Sequence, residues 1–174
     1  MMSNSHAIHA EPLRLTRELK APRQLVFEAW TQPEHLQNWM FPKQGFACEY
    51  VSVDIRAGGS SLHKMTTPSG YEMWLLTQYE VVSPPDRLVF RQYSSNTAGE
   101  IVPNTQISNW PPEIRATVTL EEVGDKTKLA FIWEPINPTA EEAEAFEAAR
   151  DQHGQGWGGG LNQLELYLGN VSKQ

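Results

Sequence analysis

Ser61, His63 and Met65 alternate after a Gly58-Gly59 turn, so they share one face of a short strand. If that face points inward, His63 can act in three ways. It can fill the core as a hydrogen-bonded ring, orient a ligand's polar head, or move a proton near neutral pH. The residues leave all three readings open. Other chemistries lack their signatures. His35, His63 and His153 lie far apart with no HExxH-type spacing, so no metal set is assigned. Gly58-Gly59 leads into a strand, not a helix, and therefore builds no phosphate cradle. There is no GxSxG elbow. Gly154-Gln155-Gly156 echoes a dinucleotide fingerprint but lacks the preceding parallel strand. Asp54 and Arg56 read as a surface pair, and residues 141–147 as a solvated helix face. No catalytic residue and no cofactor is assigned, and the expectation leans away from an enzyme.

Bulk properties narrow the partners. The chain has 174 residues, 40% hydrophobic and 20% charged, with a net charge of −7. That suits one globular domain with a real core. Dispersed basic residues and an acidic balance argue against nucleic acid. Cys48 is the one cysteine, so an internal disulfide is impossible, and a buried, inert thiol is expected. No stretch approaches the ~20 apolar residues of a membrane span. The start lacks a basic, apolar signal, so a cytoplasmic location is the default expectation. Residues 1–10 read as a loose leader, 11–170 as a single domain and 171–174 as a tail.

The elements that must position His63 follow from periodicity. Leu13, Leu15 and Leu19 mark a first strand, and Val26, Phe27 and Trp30 one face of a short helix opened by Pro22. A second short helix is expected from Pro33 to Trp39. Val51, Val53 and Ile55 suggest the inner side of a second strand. In a long fourth strand Met73, Leu75, Tyr79 and Val81 are expected to share a face. Leu88 and Phe90, then Ile114, Ala116, Val118 and Leu120, then Leu129, Phe131 and Trp133 mark three more. Short turns between them imply an antiparallel meander. Residues 94–112 lack periodicity and read either as a lid or as a solvent loop pinned by Trp110. A final helix is expected with Asn137 as cap and Pro138 in its first position. It must pass five glycines between 154 and 160, a propensity loss of about 4–5 kcal/mol. Yet Trp157, Leu161, Leu164 and Leu168 keep helical spacing. The bare surface is expected either to let the sheet approach closely or to leave space for a ligand.

Several strings occur in an ordered series. They are Leu25-Val26-Phe27-Glu28-Ala29-Trp30-Thr31 with Pro33-Glu34-His35-Leu36, then Trp39 through Pro42-Lys43, and Val53-Asp54-Ile55-Arg56-Ala57-Gly58-Gly59. Pro84-Pro85-Asp86-Arg87-Leu88-Val89-Phe90, Val118-Thr119-Leu120-Glu121-Glu122 and Gly156-Trp157 follow. In this order they resemble the START-like, SRPBCC superfamily, in the branch related to the C-terminal domain of activator of Hsp90 ATPase. The resemblance implies an α+β helix-grip fold, a curved antiparallel sheet around a long C-terminal helix. It also implies an apolar or amphipathic small molecule in the cavity between them. Relatives of this kind include cyclases, hydrolases and cochaperones, so fold alone does not decide function. The separate N-terminal domain of the full cochaperone has no expected counterpart here, which places chaperone binding behind ligand binding.

The expected pocket draws Ser61, His63, Met65, Leu75 and Tyr79 from the strands after the Gly-Gly turn. Trp39, Phe41 and Trp110 are expected from connecting segments. Phe131, Trp133, Trp157 and Leu161 complete it from the last strand and helix. Ser61 and His63 stand where the resemblance implies bulky aromatics, and the 94–112 segment is longer than implied. Both suggest a cavity that is roomier, more polar and partly roofed.

Overall fold

A computed structural model describes residues 8–171. Seven strands form one antiparallel sheet: β1 (Leu13–Leu19), β2 (Ala47–Ser52), β3 (Ser60–Thr66), β4 (Glu72–Ser83), β5 (Arg87–Ser94), β6 (Ile114–Val123) and β7 (Lys126–Pro135). Their spatial order is β1-β7-β6-β5-β4-β3-β2. The chain therefore meanders from β2 to β7, and β1 closes the far side by pairing with β7. Between β1 and β2 run α1 (Arg23–Thr31) and α2 (Pro33–Leu36), and α3 (Ala140–Val171) grips the concave face. This is the helix-grip arrangement expected from the alternation and the resemblance. The leader and tail expectations fall largely on residues 1–7 and 172–174, outside the described residues. Of the described leader residues, Ala10 is already packed in the core.

Alternation decides which side chains enter the core. Ala116, Val118 and Leu120 face inward opposite Trp133, Phe131 and Leu129, and all six are buried. Trp30 on α1 nests against Trp39, Phe90 and Phe131, with ring centroids 4.7, 6.4 and 6.2 Å away. On α3, Phe146, Leu161, Leu164 and Leu168 are buried at helical spacing. Burying each such side chain contributes about 1.5–3 kcal/mol, which offsets the glycine losses.

Four local expectations are corrected. Val51 and Val53 are exposed; the inner side of β2 carries Cys48 and Tyr50, and the strand ends at Ser52. An edge strand tolerates such exposed valines because its outer face meets water, so their period-two pattern marked the wrong face. In β4 a register shift after Tyr79 turns Val82, not Val81, toward the core. The second helix stops at Leu36, with the chain turning through Trp39. Finally, α3 is capped by Thr139. The Thr139 amide donates to Glu142 Oε1 at 2.9 Å, and the Glu142 amide donates to Thr139 Oγ1 at 3.1 Å. This reciprocal capping box satisfies two amides that a helix start leaves open. Asn137, with φ of 46°, belongs to the preceding turn.

The glycine-rich part of α3 is continuous helix, and its glycines do different work. A Cβ on Gly159 would lie 2.1 Å from the Pro42 carbonyl oxygen. The helix and the segment after α2 can touch there only because no side chain intervenes. A Cβ on Gly156 would meet nothing within 4 Å. The close approach at Gly159 is thus made by the segment after α2 and not by the sheet, while at Gly156 the surface stays open.

Candidate functional site

A cavity of about 340 Å³ opens between the concave sheet and the glycine-rich half of α3. Four groups of residues line it. From β3 and β4 come His63, Met65, Met73 and Leu75, inward-facing by strand alternation. From α3 come Gln152, His153, Gly156, Trp157 and Gly160, which occupy one face because residues four apart stack on a helix. Across the mouth lie Phe41 from the segment after α2, and Asn104, Trp110, Pro111 and Pro112 from the strap between β5 and β6. Trp133 and Gln92 form part of the floor.

His63 is the most constrained polar group here. It is 2% exposed and stacks on Tyr50, with centroids 4.7 Å apart and planes at 21°. Its Nδ1 is buried with no hydrogen-bond partner. Burial lowers its pKa to about 4, so the ring is neutral at pH 7. A buried ring nitrogen without a partner is costly, and the fold carries that cost in a ring that lines the cavity.

The opposite wall is aromatic. His153 is stacked by Trp110 at 4.7 Å and packed by Trp133 at 5.1 Å. Its Nδ1 lies 3.0 Å from the Ala149 carbonyl. A carbonyl can only accept, so Nδ1 carries a proton. Trp133 Nε1 donates to Gln92 Oε1 at 3.4 Å. Trp157 packs one side on Phe131, at 4.5 Å, and turns the other toward the cavity.

The 94–112 segment is an ordered strap. Asn96 Oδ1 accepts from the Ala98 and Glu100 amides, and Ser95 bridges Ile101. Asn104 Oδ1 likewise accepts from Gln106 and Ile107, and Gln106 Nε2 donates to the Tyr71 hydroxyl at 2.9 Å. Trp110 then brings the strap to the cavity mouth.

Seven of the twelve residues expected from the sequence line this cavity: Phe41, His63, Met65, Leu75, Trp110, Trp133 and Trp157. Five do not. Trp39 is fully buried behind α1, where its Nε1 donates to the Ala29 carbonyl at 2.9 Å. Ser61 and Tyr79 satisfy each other through a 2.7 Å hydroxyl contact, two residues along β3 from His63 and four along β4 from Leu75. Burial, eased by the Ser61 bond, raises the Tyr79 pKa to about 12, so it stays a neutral core group. Phe131 is covered by Trp157, and Leu161 turns from the cavity into the core. Of the lining residues that were not expected, His153 and Gly160 follow from helical spacing to Trp157, and Gln92 from alternation with Leu88 and Phe90. The Asn104 and Pro111-Pro112 contacts carried no periodic signal. Cys48 is buried, and burial raises its thiol pKa to about 12, in keeping with an inert role. Asp54 and Arg56 pair at 2.9 Å on the surface.

Among the described residues no group of three or more His, Cys, Asp or Glu side chains is placed to hold a metal ion. No described helix is long and apolar enough to cross a membrane.

Comparison with known proteins follows the same lines. Solved structures share the fold at low identity. A protein from Arthrobacter aurescens is 20% identical with a TM-score of 0.78, covering 92% of this chain and 87% of its own. One from Rhizobium leguminosarum is 26% identical with a TM-score of 0.69, covering 92% and 95%. The AHSA1 protein of Silicibacter pomeroyi is 17% identical with a TM-score of 0.71, covering 92% and 99%. No curated protein matches the chain. The family model described as "Activator of Hsp90 ATPase homolog 1-like protein" matches residues 20–169, from the end of β1 almost to the end of α3. The chain therefore belongs to the activator of Hsp90 ATPase homologue 1-like family.

Proposed function

We propose that this protein binds an apolar or amphipathic small molecule in the cavity between the sheet and α3. The observation that carries this reading is the cavity itself, about 340 Å³, with aromatic and methionine walls and the buried His63 ring among its lining residues. Volumes of this order suit small organic ligands, and a mostly apolar wall with a few polar groups is the usual composition of such sites. Met65 and Met73 add adaptable, polarizable surface. A ligand of about 25 heavy atoms at ~0.3 kcal/mol per atom would bind near −7.5 kcal/mol, in the low micromolar range.

Three tryptophans, Trp110, Trp133 and Trp157, face the cavity, so an occupant is expected to change intrinsic fluorescence and raise the melting temperature. A broad panel of apolar and amphipathic compounds should yield hits in both measurements. If the whole panel left emission and melting temperature unchanged, the reading would fail.

A further inference from the structure

The charge of the lining points further, to the class of ligand. None of the cavity's lining residues is Lys, Arg, Asp or Glu. An anionic headgroup drawn inside would lose its hydration and meet no cation. What the cavity offers instead are neutral hydrogen-bonding groups. The His63 and His153 rings both line it, and the Nδ1 contact of His153 to Ala149 leaves its Nε2 without a protein partner. Gln92 has its carbonyl oxygen toward Trp133 Nε1, which leaves its amide nitrogen to donate. His63 is also held rigidly: Tyr50 covers one ring face, and its strand is paired on both sides. A polar ring fixed in the cavity wall discriminates between ligands that can hydrogen-bond to it and ligands that cannot.

We propose that the cavity selects an uncharged ligand bearing a hydroxyl or similar neutral hydrogen-bonding group, which meets the His63 ring, and that it rejects carboxylates built on the same hydrocarbon frame. This rests on the cavity-binding reading above and assigns His63 as its specificity-determining residue. The lowered His63 pKa agrees, because a neutral ring gives an anion no countercharge.

The test uses three probes of nearly equal shape, naphthalene, 2-naphthol and 2-naphthoate, titrated calorimetrically into the full chain at pH 7.5. The expected order is 2-naphthol about tenfold tighter than naphthalene, with 2-naphthoate weaker than naphthalene. In His63→Phe the advantage of 2-naphthol over naphthalene should vanish while naphthalene still binds. In His63→Gln, which keeps a hydrogen-bonding group, part of the advantage should return. Binding of 2-naphthoate as tight as 2-naphthol would overturn the inference and leave cavity binding standing. Survival of the full 2-naphthol advantage in His63→Phe would do the same. Absence of binding by all three probes would overturn both. Should His63→Phe fail to fold, the wild-type order and His63→Gln decide the matter.

Discussion

His63 is both buried and titratable, and that combination has a consequence for stability. Its ring is held to a pKa of about 4, against 6.5 for an unperturbed histidine. The unfolded chain therefore takes up the proton first as pH falls. Below about 6.5 the unfolded state gains protons that the folded state refuses, and stability declines until pH nears 4. Above 6.5 the ring is neutral in both states and contributes no slope. The full difference is about 3 kcal/mol at 1.36 kcal/mol per pKa unit. Chemical denaturation of wild type and His63→Phe at several pH values between 7.5 and 4 should show the wild type losing the larger amount. Parallel pH dependence in the two proteins would contradict the burial of a neutral His63. At this scale the alternation of Ser61, His63 and Met65 put His63 on the inward face, while its stacking partner Tyr50 carried no signal. The sequence could not show that Ser61 is consumed by Tyr79, because that pairing depends on the register of β3 against β4.

The element with the sharpest internal contrast is α3. Gly156 and Gly159 are three residues apart in one helix, with opposite surroundings. Gly156→Ala adds a methyl to open space and improves helix propensity, so it should stabilise the protein by up to ~1 kcal/mol. The same methyl projects beside the cavity and should weaken binding of a bulky occupant. Gly159→Ala drives a Cβ into the Pro42 backbone, where no rotamer offers escape. A loss of several kcal/mol is expected, because the helix must part from the segment after α2. Melting curves of the two variants, measured side by side, check both signs; equal effects would mean that the helix does not approach Pro42 as described. Glycine content alone marked this stretch as unusual. Only the position of the Phe41-Pro42 carbonyls separates the glycine that must stay bare from the one that need not.

The whole molecule is a gripped sheet whose mouth is partly crossed by the strap. That strap is tied at both ends. Near β5, Asn96 and the Ser95–Ile101 bridge fold its first turn. Near β6, Glu113 accepts from the Tyr93 hydroxyl at 2.6 Å and from Arg91 Nη1 at 3.2 Å. Between them Trp110 stacks on His153 and packs against Phe146 and Trp133. Trp110→Ala should free the middle of the strap while leaving the sheet intact. Hydrogen exchange should then speed up in residues 102–112, with little change in β6 and β7, and ligand affinity should fall. Unchanged exchange in the strap would mean that its own turns, not Trp110, hold it in place.

Alternation and helical spacing, which are local, were enough for the sequence to determine the strand order of a meander, the long final helix, and the inward set from Ala116 to Leu120. The ordered strings around Trp30, Gly58-Gly59 and Gly156-Trp157 were enough to point to the family. Tertiary structure decided what a one-dimensional pattern cannot carry. It set which of several inward side chains border empty space and which border one another. Trp39 and Phe131 are as apolar as Trp133 and Trp157, and all four face the interior. Two are sealed by neighbours from distant segments, and two are left facing the cavity, because Gly156 and Gly160 supply no side chains to fill it.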